Sequence, residues 1–577
     1  MNIRTLSGFS DWAYCGGCWG KVGVYRIFDY LKAAGIQDLY WRVFDGGRAD
    51  YPSRIATVRD GRVYDEMYHA STALLATQKV EHYRYMDYAA YDSLKEAAQA
   101  AKECGINLRL WYTLFEDDHG GSVLSDFAQA HPEYWQVDRA GRAYRGTLDW
   151  WFPEVRAHKL AIVDELLTNY PEAKGLMLDY VRHNACPSAD ENGIHRFGYN
   201  PEIRAAYKKE FGADPIELPA DDARWMAWKV DYWTSFIRDV KKLMNRTKHN
   251  QELSLMLWPV EYKTWACIDV SALTQDNTVQ MITSMSIKYT CKPQEVVEEY
   301  NILKSQTKGD TVKIIPGIIS YNKIYSSQLN DCVQTAEQAG IDEVMFYEAP
   351  VIPMHGLLTT VRAIQTGKPN YKKGLSASPV TESDPTKIDW STIPAYTDFF
   401  YNTGKRKDTT PSEKTSVQFA YNPKELVIRT LCEDSRMDIA LSPIEKKPEL
   451  QYYLDVLGAR TPFFMMNSFN LYLDAKHSHQ DYFHFAGLPD GKKIQHTFVL
   501  HDWAGEWDLS VQQGQDQWTA FIRIPYASLG IKAPIPGDEW GINMIRGIRW
   551  AQETSIWFYS MWQTPYPDDF GHLRFNA

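Results

Sequence analysis

Gly175-Leu176-Met177-Leu178-Asp179-Tyr180-Val181-Arg182 is the stretch on which the fold turns. An apolar run of strand character stops at Asp179, and Arg182 follows three residues later. A helical pattern, Val155 to Leu167, precedes it, and a long polar loop follows. In a parallel α/β protein the C-terminal end of such a strand is where catalytic groups project. An apolar strand has no structural use for a terminal carboxylate beside a cation. The segment therefore predicts a barrel enzyme with Asp179 in its site. The competing reading is a carboxylate that caps a loop or pairs with Arg182 to hold the strand end.

The flanking sequence repeats the same grammar. Strand-like runs fall at Leu6–Tyr14, Asp38–Phe44, Asn107–Leu114, Gly175–Tyr180, Leu253–Trp258, Val279–Ser284, Val312–Ile319 and Glu343–Tyr347. Helical patterns lie between them, including Val22–Ala34, Tyr91–Glu103, Ala223–Met244 and Ser327–Ala339. Helix, glycine cap and buried strand recur at Ala34-Gly35-Ile36, Cys104-Gly105-Ile106 and Ala339-Gly340-Ile341. Eight strands alternating with helices predict a (β/α)8 TIM barrel over residues 1–366. A doubly wound sheet is the alternative, but it rarely spreads eight strands over so long a chain.

Residues 367–414 change character, with Lys368-Pro369, Ser376-Ala377-Ser378-Pro379 and Thr410-Pro411 reading as a linker with some ordered pieces. Residues 415–577 then show short alternating runs separated by turn signals such as Asp490-Gly491 and Pro536-Gly537. That pattern predicts an all-β sandwich.

Composition narrows the function. The chain has 577 residues, too many for one ordinary core. Aromatics make up 14% of it, with 20 Trp and 36 Tyr, which suits a protein that stacks on sugar faces. The net charge of −11 and the lack of a basic run argue against nucleic-acid partners or an anionic membrane surface. No stretch of apolar residues is long enough for a membrane span. Met1-Asn2-Ile3-Arg4-Thr5 has no apolar signal core. A removed signal would imply a periplasmic or extracellular protein, and otherwise the reading is cytoplasmic. The eight Cys are dispersed, and Cys15-Gly16-Gly17-Cys18 has no second CxxC to complete a zinc site.

Two resemblances follow from the motifs. Tyr40-Trp41-Arg42-Val43-Phe44-Asp45-Gly46-Gly47, Leu110-Trp111-Tyr112 and Leu178-Asp179-Tyr180-Val181-Arg182 resemble the bacterial barrels called family-ten-like glycosylhydrolases. That resemblance implies a glycan substrate. In the C-terminal part, Trp518 to Pro525, Leu529-Gly530, Gly537-Asp538-Glu539-Trp540-Gly541-Ile542-Asn543 and Arg546 resemble the family-nine carbohydrate-binding module. It implies a sandwich that binds sugar or supports the barrel.

Glycoside hydrolysis uses two carboxyl groups, one protonating the leaving oxygen and one attacking the anomeric carbon or activating water. Strand ends limit the candidates. Asp179 is read as nucleophile or base. Glu261, after strand five, is the first choice of acid, and Glu348, ending strand eight, is the second. Arg182 and His183 sit beside Asp179, and a cation there favours the ionised form that a nucleophile needs. Trp41, Trp111 and Trp258 lie near strand ends as stacking platforms, and Arg42, Arg48 and Lys288 suit an acidic or sulfated sugar. Asp45 follows strand two. Glu116, Asp117, Asp118 and His119 follow strand three; Glu116 is read as a substrate contact, and the cluster lacks metal-ligand spacing. No cofactor and no metal are expected. The alternatives are a non-catalytic glycan-binding barrel and a metal-dependent carbohydrate hydrolase or deacetylase, which would need a His-rich strand end.

Overall fold

Alternation along each strand sends one set of side chains into a barrel and the other beneath a helical layer. The computed structural model describes residues 1–9, 20–45, 47–59, 88–114, 117, 124–182, 197–247, 249–285, 292–309, 311–319, 324–354, 357–367, 373–403, 410–443, 466–478, 481–497, 503, 505–551, 553–558, 567 and 570–577. They form two units, the first mainly Trp19–Val351 and the second mainly Lys368–Ala577.

The first unit is a (β/α)8 barrel. Its strands are β1 (Asn2–Ser7), β2 (Asp38–Asp45), β3 (Asn107–Thr113), β4 (Gly175–Asp179), β5 (Glu252–Leu257), β6 (Met281–Ser284), β7 (Lys313–Ile315 and Gly317–Ile319) and β8 (Glu343–Tyr347). All pair in parallel with their neighbours, and β1 joins both β2 and β8. The barrel closes through β7, which is split at Pro316. Its first half pairs with β6 and its second with β8. Gly317 permits this closure, because a Cβ there would lie 2.3 Å from the Ser284 carbonyl oxygen. The Gly317 N–H donates instead to Ser284 Oγ at 2.7 Å. Between the strands run α1 (Gly20–Ala33), α2 (Ser93–Cys104), α3 (Pro153–Asn169), α4 (Ala223–Arg246), α5 (Val270–Gln275), α6 (Pro293–Gln306) and α7 (Ser326–Gln338), and Leu358–Thr366 follows β8.

The first strand differs from expectation. It spans Asn2–Ser7 rather than beginning at Leu6. Polar Arg4 and Thr5 hide its alternation in the sequence. Residues 10–14 of the expected run lie outside the described residues.

Inside the barrel, Leu6, Tyr40, Trp111, Met177, Met256, Met281, Ile315, Met345 and Tyr347 form one buried cluster that draws on every strand. Beneath it the N-terminal end carries a ring of charge. Arg4 pairs with Glu343 at 2.5 Å, Glu343 with Lys313 at 2.6 Å, and Arg109 with Asp38 and with Glu252, the latter at 3.3 Å. Gly175 faces this ring, where a Cβ would sit 2.6 Å from the Glu252 carbonyl oxygen. Burial pushes the Tyr40 hydroxyl up to about 12, so it stays protonated. It donates to Met281 Sδ at 3.1 Å and so ties the ring to the apolar core.

The second unit is a β-sandwich. Its strands run in the order Lys493–Thr497, Phe483–Gly487, Ser468–Asp474, Glu539–Ile548, Gly571–Phe575, Gly374–Pro379, Thr415–Tyr421, Glu425–Glu433, Gln517–Pro525 and Asp508–Gln513. Glu553–Ile556 pairs with Glu539–Ile548, and Phe400–Thr403 pairs with Glu553–Ile556. The segment read as a linker thus contributes Gly374–Pro379 and Phe400–Thr403 to this sheet. Four motif residues of the C-terminal part are buried: Trp518 and Trp540 lie in the core, Asn543 bonds the Phe558 backbone, and Arg546 pairs with Asp434 at 3.1 Å.

Candidate active site

β4 ends where the barrel opens. Asp179 is its last residue and pairs in register with Thr113 of β3. Alternation places Asp179 on the same side as Met177, whose side chain lies in the barrel core. Asp179 is 4% exposed. Each carboxylate oxygen accepts an N–H: Trp111 Nε1 donates to Oδ2 at 3.0 Å, and the Tyr180 backbone donates to Oδ1 at 2.6 Å. Two donors from two elements fix the plane of the carboxylate.

Tyr180 pays for that contact in its backbone. Its φ of 53° lies in the left-handed region, which costs roughly 1–2 kcal/mol for a residue with a Cβ. The turn also delivers Arg182. The Arg182 guanidinium lies 4.1 Å from the Tyr180 ring and 4.4 Å from the Trp258 ring, and Trp258 stacks on Trp265 at 5.1 Å. Trp111 meets Tyr347 of β8 edge-on at 5.9 Å, and the Arg42 guanidinium sits 5.4 Å from the Trp111 ring.

The structure thus brings Asp179, Trp111, Arg182 and Trp258 together at the mouth, with Tyr180, Trp265 and Tyr347 as partners that the sequence reading did not single out. Glu348 follows Tyr347 at the end of β8 and is half-buried. The Tyr347–Glu348 peptide is cis.

Several expected contacts lie elsewhere. Trp41 is fully buried outside the barrel, stacked on Phe28 of α1 at 5.8 Å. Tyr40 lies in the barrel cluster, so alternation turns its neighbour Trp41 away from the mouth. Trp111 is not an open platform, because it is buried and its indole N–H holds Asp179. Arg42 is held in a buried ion network, 3.7 Å from Asp50, which also pairs with Arg59 at 2.8 Å. Arg48 is buried. Glu261 is exposed and caps the helix Tyr262–Ala266, with Oε2 accepting the Thr264 N–H at 2.7 Å and the Thr264 hydroxyl. Asp117 is fully buried with Lys159 at 2.6 Å. Glu116, Asp118, His119, His183 and Lys288 lie outside the described residues, as do Cys15 and Cys18. So does the side chain of Asp45. Among the described residues no cluster of three or more His, Cys, Asp or Glu is arranged to hold a metal ion.

A closed parallel barrel with an oriented carboxylate at the C-terminal end of its fourth strand has the layout in which barrel enzymes place their catalytic groups. Residues 21–347 match the glycosyl hydrolase-like 10 family, and the chain belongs to it. Membership makes this a carbohydrate-active protein. No curated protein matches the chain. Among solved structures, it is similar to the catalytic domain of β-amylase from Paenibacillus polymyxa, at 11% identity over 64% of this chain and 98% of that one, with a TM-score of 0.42. It is also similar to the endo-1,4-β-D-mannanase of Thermotoga petrophila, at 11% identity over 60% and 88%, TM-score 0.34. A further likeness is to a family 9 carbohydrate-binding module from Caldicellulosiruptor kristjanssonii in complex with cellotriose, at 15% identity over 36% and 94%, TM-score 0.26.

Proposed function

We propose that the barrel hydrolyses a glycosidic bond in an oligo- or polysaccharide, with Asp179 as nucleophile of a retaining reaction or base of an inverting one. The observation that carries this reading is the seating of Asp179. A nearly buried carboxylate at a strand end accepts an N–H on each oxygen, at the end of the barrel where enzymes of this fold place catalytic groups. The second carboxyl in this proposal is Glu348. It stands next to Tyr347, whose ring packs against the Trp111 that orients Asp179. Glu261, the first choice from sequence, is engaged in capping a helix.

The test is turnover on a panel of defined glycans. Asp179→Asn should lower kcat on the cognate glycan by about a thousandfold or more, with an unchanged far-UV spectrum. Glu348→Gln should lower it by about 10²–10⁴-fold, least for aryl glycosides whose leaving group needs little protonation. Cleavage that survives Asp179→Asn removes the proposal. The anomer released, read by proton NMR, then separates retention from inversion.

A further inference from the structure

Arg42 stands directly opposite Trp111 across the β2–β3 ladder. It lies two residues beyond Tyr40, which enters the barrel cluster, so alternation turns it to the same face. Its guanidinium sits 5.4 Å from the Trp111 ring, whose indole N–H donates to Asp179 Oδ2 at 3.0 Å. Arg42, Trp111 and Asp179 are 6%, 2% and 4% exposed, so water screens these contacts weakly. The guanidinium is closely fitted. A Cβ on Gly8, just past β1, would lie 3.0 Å from Arg42 Nε, and Asp50 Oδ2 lies 3.7 Å from the same nitrogen. Asp50 is nearer to Arg59, at 2.8 Å. A cation over an indole face is attracted by the ring's electron density. Drawing that density toward the cation leaves the N–H a stronger donor, as along any chain of mutually polarised hydrogen bonds. A stronger donor favours the carboxylate over the carboxylic acid.

We infer that Arg42 is a positioning residue for Asp179: acting through the Trp111 indole, it keeps that carboxylate ionised and oriented. This deepens the hydrolase proposal and rests on it for the use to which Asp179 is put. Asp50 tempers the effect, because its negative charge offsets part of the charge on Arg42. Two neighbouring groups thus act on Asp179 with opposite signs, which packing alone does not require. Arg48 after β2, Asp117 after β3 with its partner Lys159, Arg182 after β4, Glu299 bonded to Ser284 of β6, and Glu348 after β8 also bring charge to this end of the barrel. None of them is altered in the variants that follow.

The full chain, carrying nitrogen-15 tryptophan, tests this by NMR without substrate. The Trp111 indole resonance is the one lost in Trp111→Phe, and Asp179→Asn should abolish its response to acid. Arg42→Met should move the indole proton upfield at neutral pH and the midpoint of its acid response to higher pH. Asp50→Asn should move both the opposite way, and Arg42→Lys should fall between wild type and Arg42→Met. An unmoved resonance in Arg42→Met, or the same direction of movement in Arg42→Met and Asp50→Asn, overturns the inference. If Arg42→Met fails a near-UV circular dichroism check, Asp50→Asn decides: a downfield move supports the inference, and an upfield or absent one overturns it. On a cognate glycan Arg42→Met should lower kcat about two- to thirtyfold with little change in KM, and the deficit should grow toward acid pH. Shifts of the stated signs in a chain that cleaves no glycan would count against the hydrolase proposal alone. Cleavage abolished by Asp179→Asn, with an indole resonance indifferent to Arg42, would count against this inference alone.

Discussion

At the scale of single residues, Trp111 and Glu261 make opposite predictions. Trp111 gives its indole N–H to Asp179 across the gap between β3 and β4. Trp111→Phe keeps an aromatic ring and removes the donor. It should lower kcat about ten- to hundredfold with little change in KM, and thermal denaturation should show a folded barrel. Glu261→Ala removes a helix cap, so it should cost about 1 kcal/mol of stability and leave turnover near wild type. A deep loss of kcat in that variant would return Glu261 to the chemistry. Part of this site was legible. Asp179 stood out because an apolar strand has no use for a terminal carboxylate. The use of Trp111 was not legible, because its partner lies 68 residues away and the contact exists only once two strands are in register. Trp41 was misplaced for a simpler reason: its phase in the strand is opposite to that of Tyr40, which enters the core.

At the scale of elements, closure of the barrel depends on β7. Its halves, Lys313–Ile315 and Gly317–Ile319, face different neighbours across Pro316. Gly317→Ala would drive a methyl group into the Ser284 carbonyl, which is backbone and cannot swing aside. The expected outcome is a loss of about 1–3 kcal/mol or more, read as a lower urea midpoint for the barrel. In the sequence the two halves read as one run, Val312–Ile319, because hydrophobicity records burial and not the choice of neighbour. Strand β8, Glu343–Tyr347, was legible to the residue, since both of its faces are apolar over a short span. Gly374–Pro379 was not, because its Ser, Ala and Gly residues carry no strand signal. The sheet holds it between Thr415–Tyr421 and Gly571–Phe575. Asp508–Gln513 was missed because it lies at the end of the sheet order with largely exposed, polar side chains.

At the scale of the whole barrel, the charged ring beneath the apolar core sets a response to acid. Burial raises the pKa of Glu343, but hydrogen bonds from Arg4 and Lys313 outweigh it and hold the carboxyl below its ordinary 4.5. The unfolded chain therefore binds more protons than the folded one in this range, and stability rises with pH across it. The contribution is complete above about pH 4.5 and is lost as pH falls through the lowered value. Glu343→Gln should flatten the fall in barrel stability between about pH 5 and 3, measured by denaturant unfolding at each pH. The same ring has a consequence for synthesis. Asn2 and Glu343, which pair across β1 and β8, are separated by 341 positions along the chain. A ribosome adding about 5–20 residues per second needs on the order of tens of seconds to cover that distance. For that interval β1 has no β8 edge to join, and Arg4 has no Glu343. A nascent chain arrested before Glu343 should therefore be cut readily by protease or captured by a chaperone, and one arrested well past Thr366 should resist both.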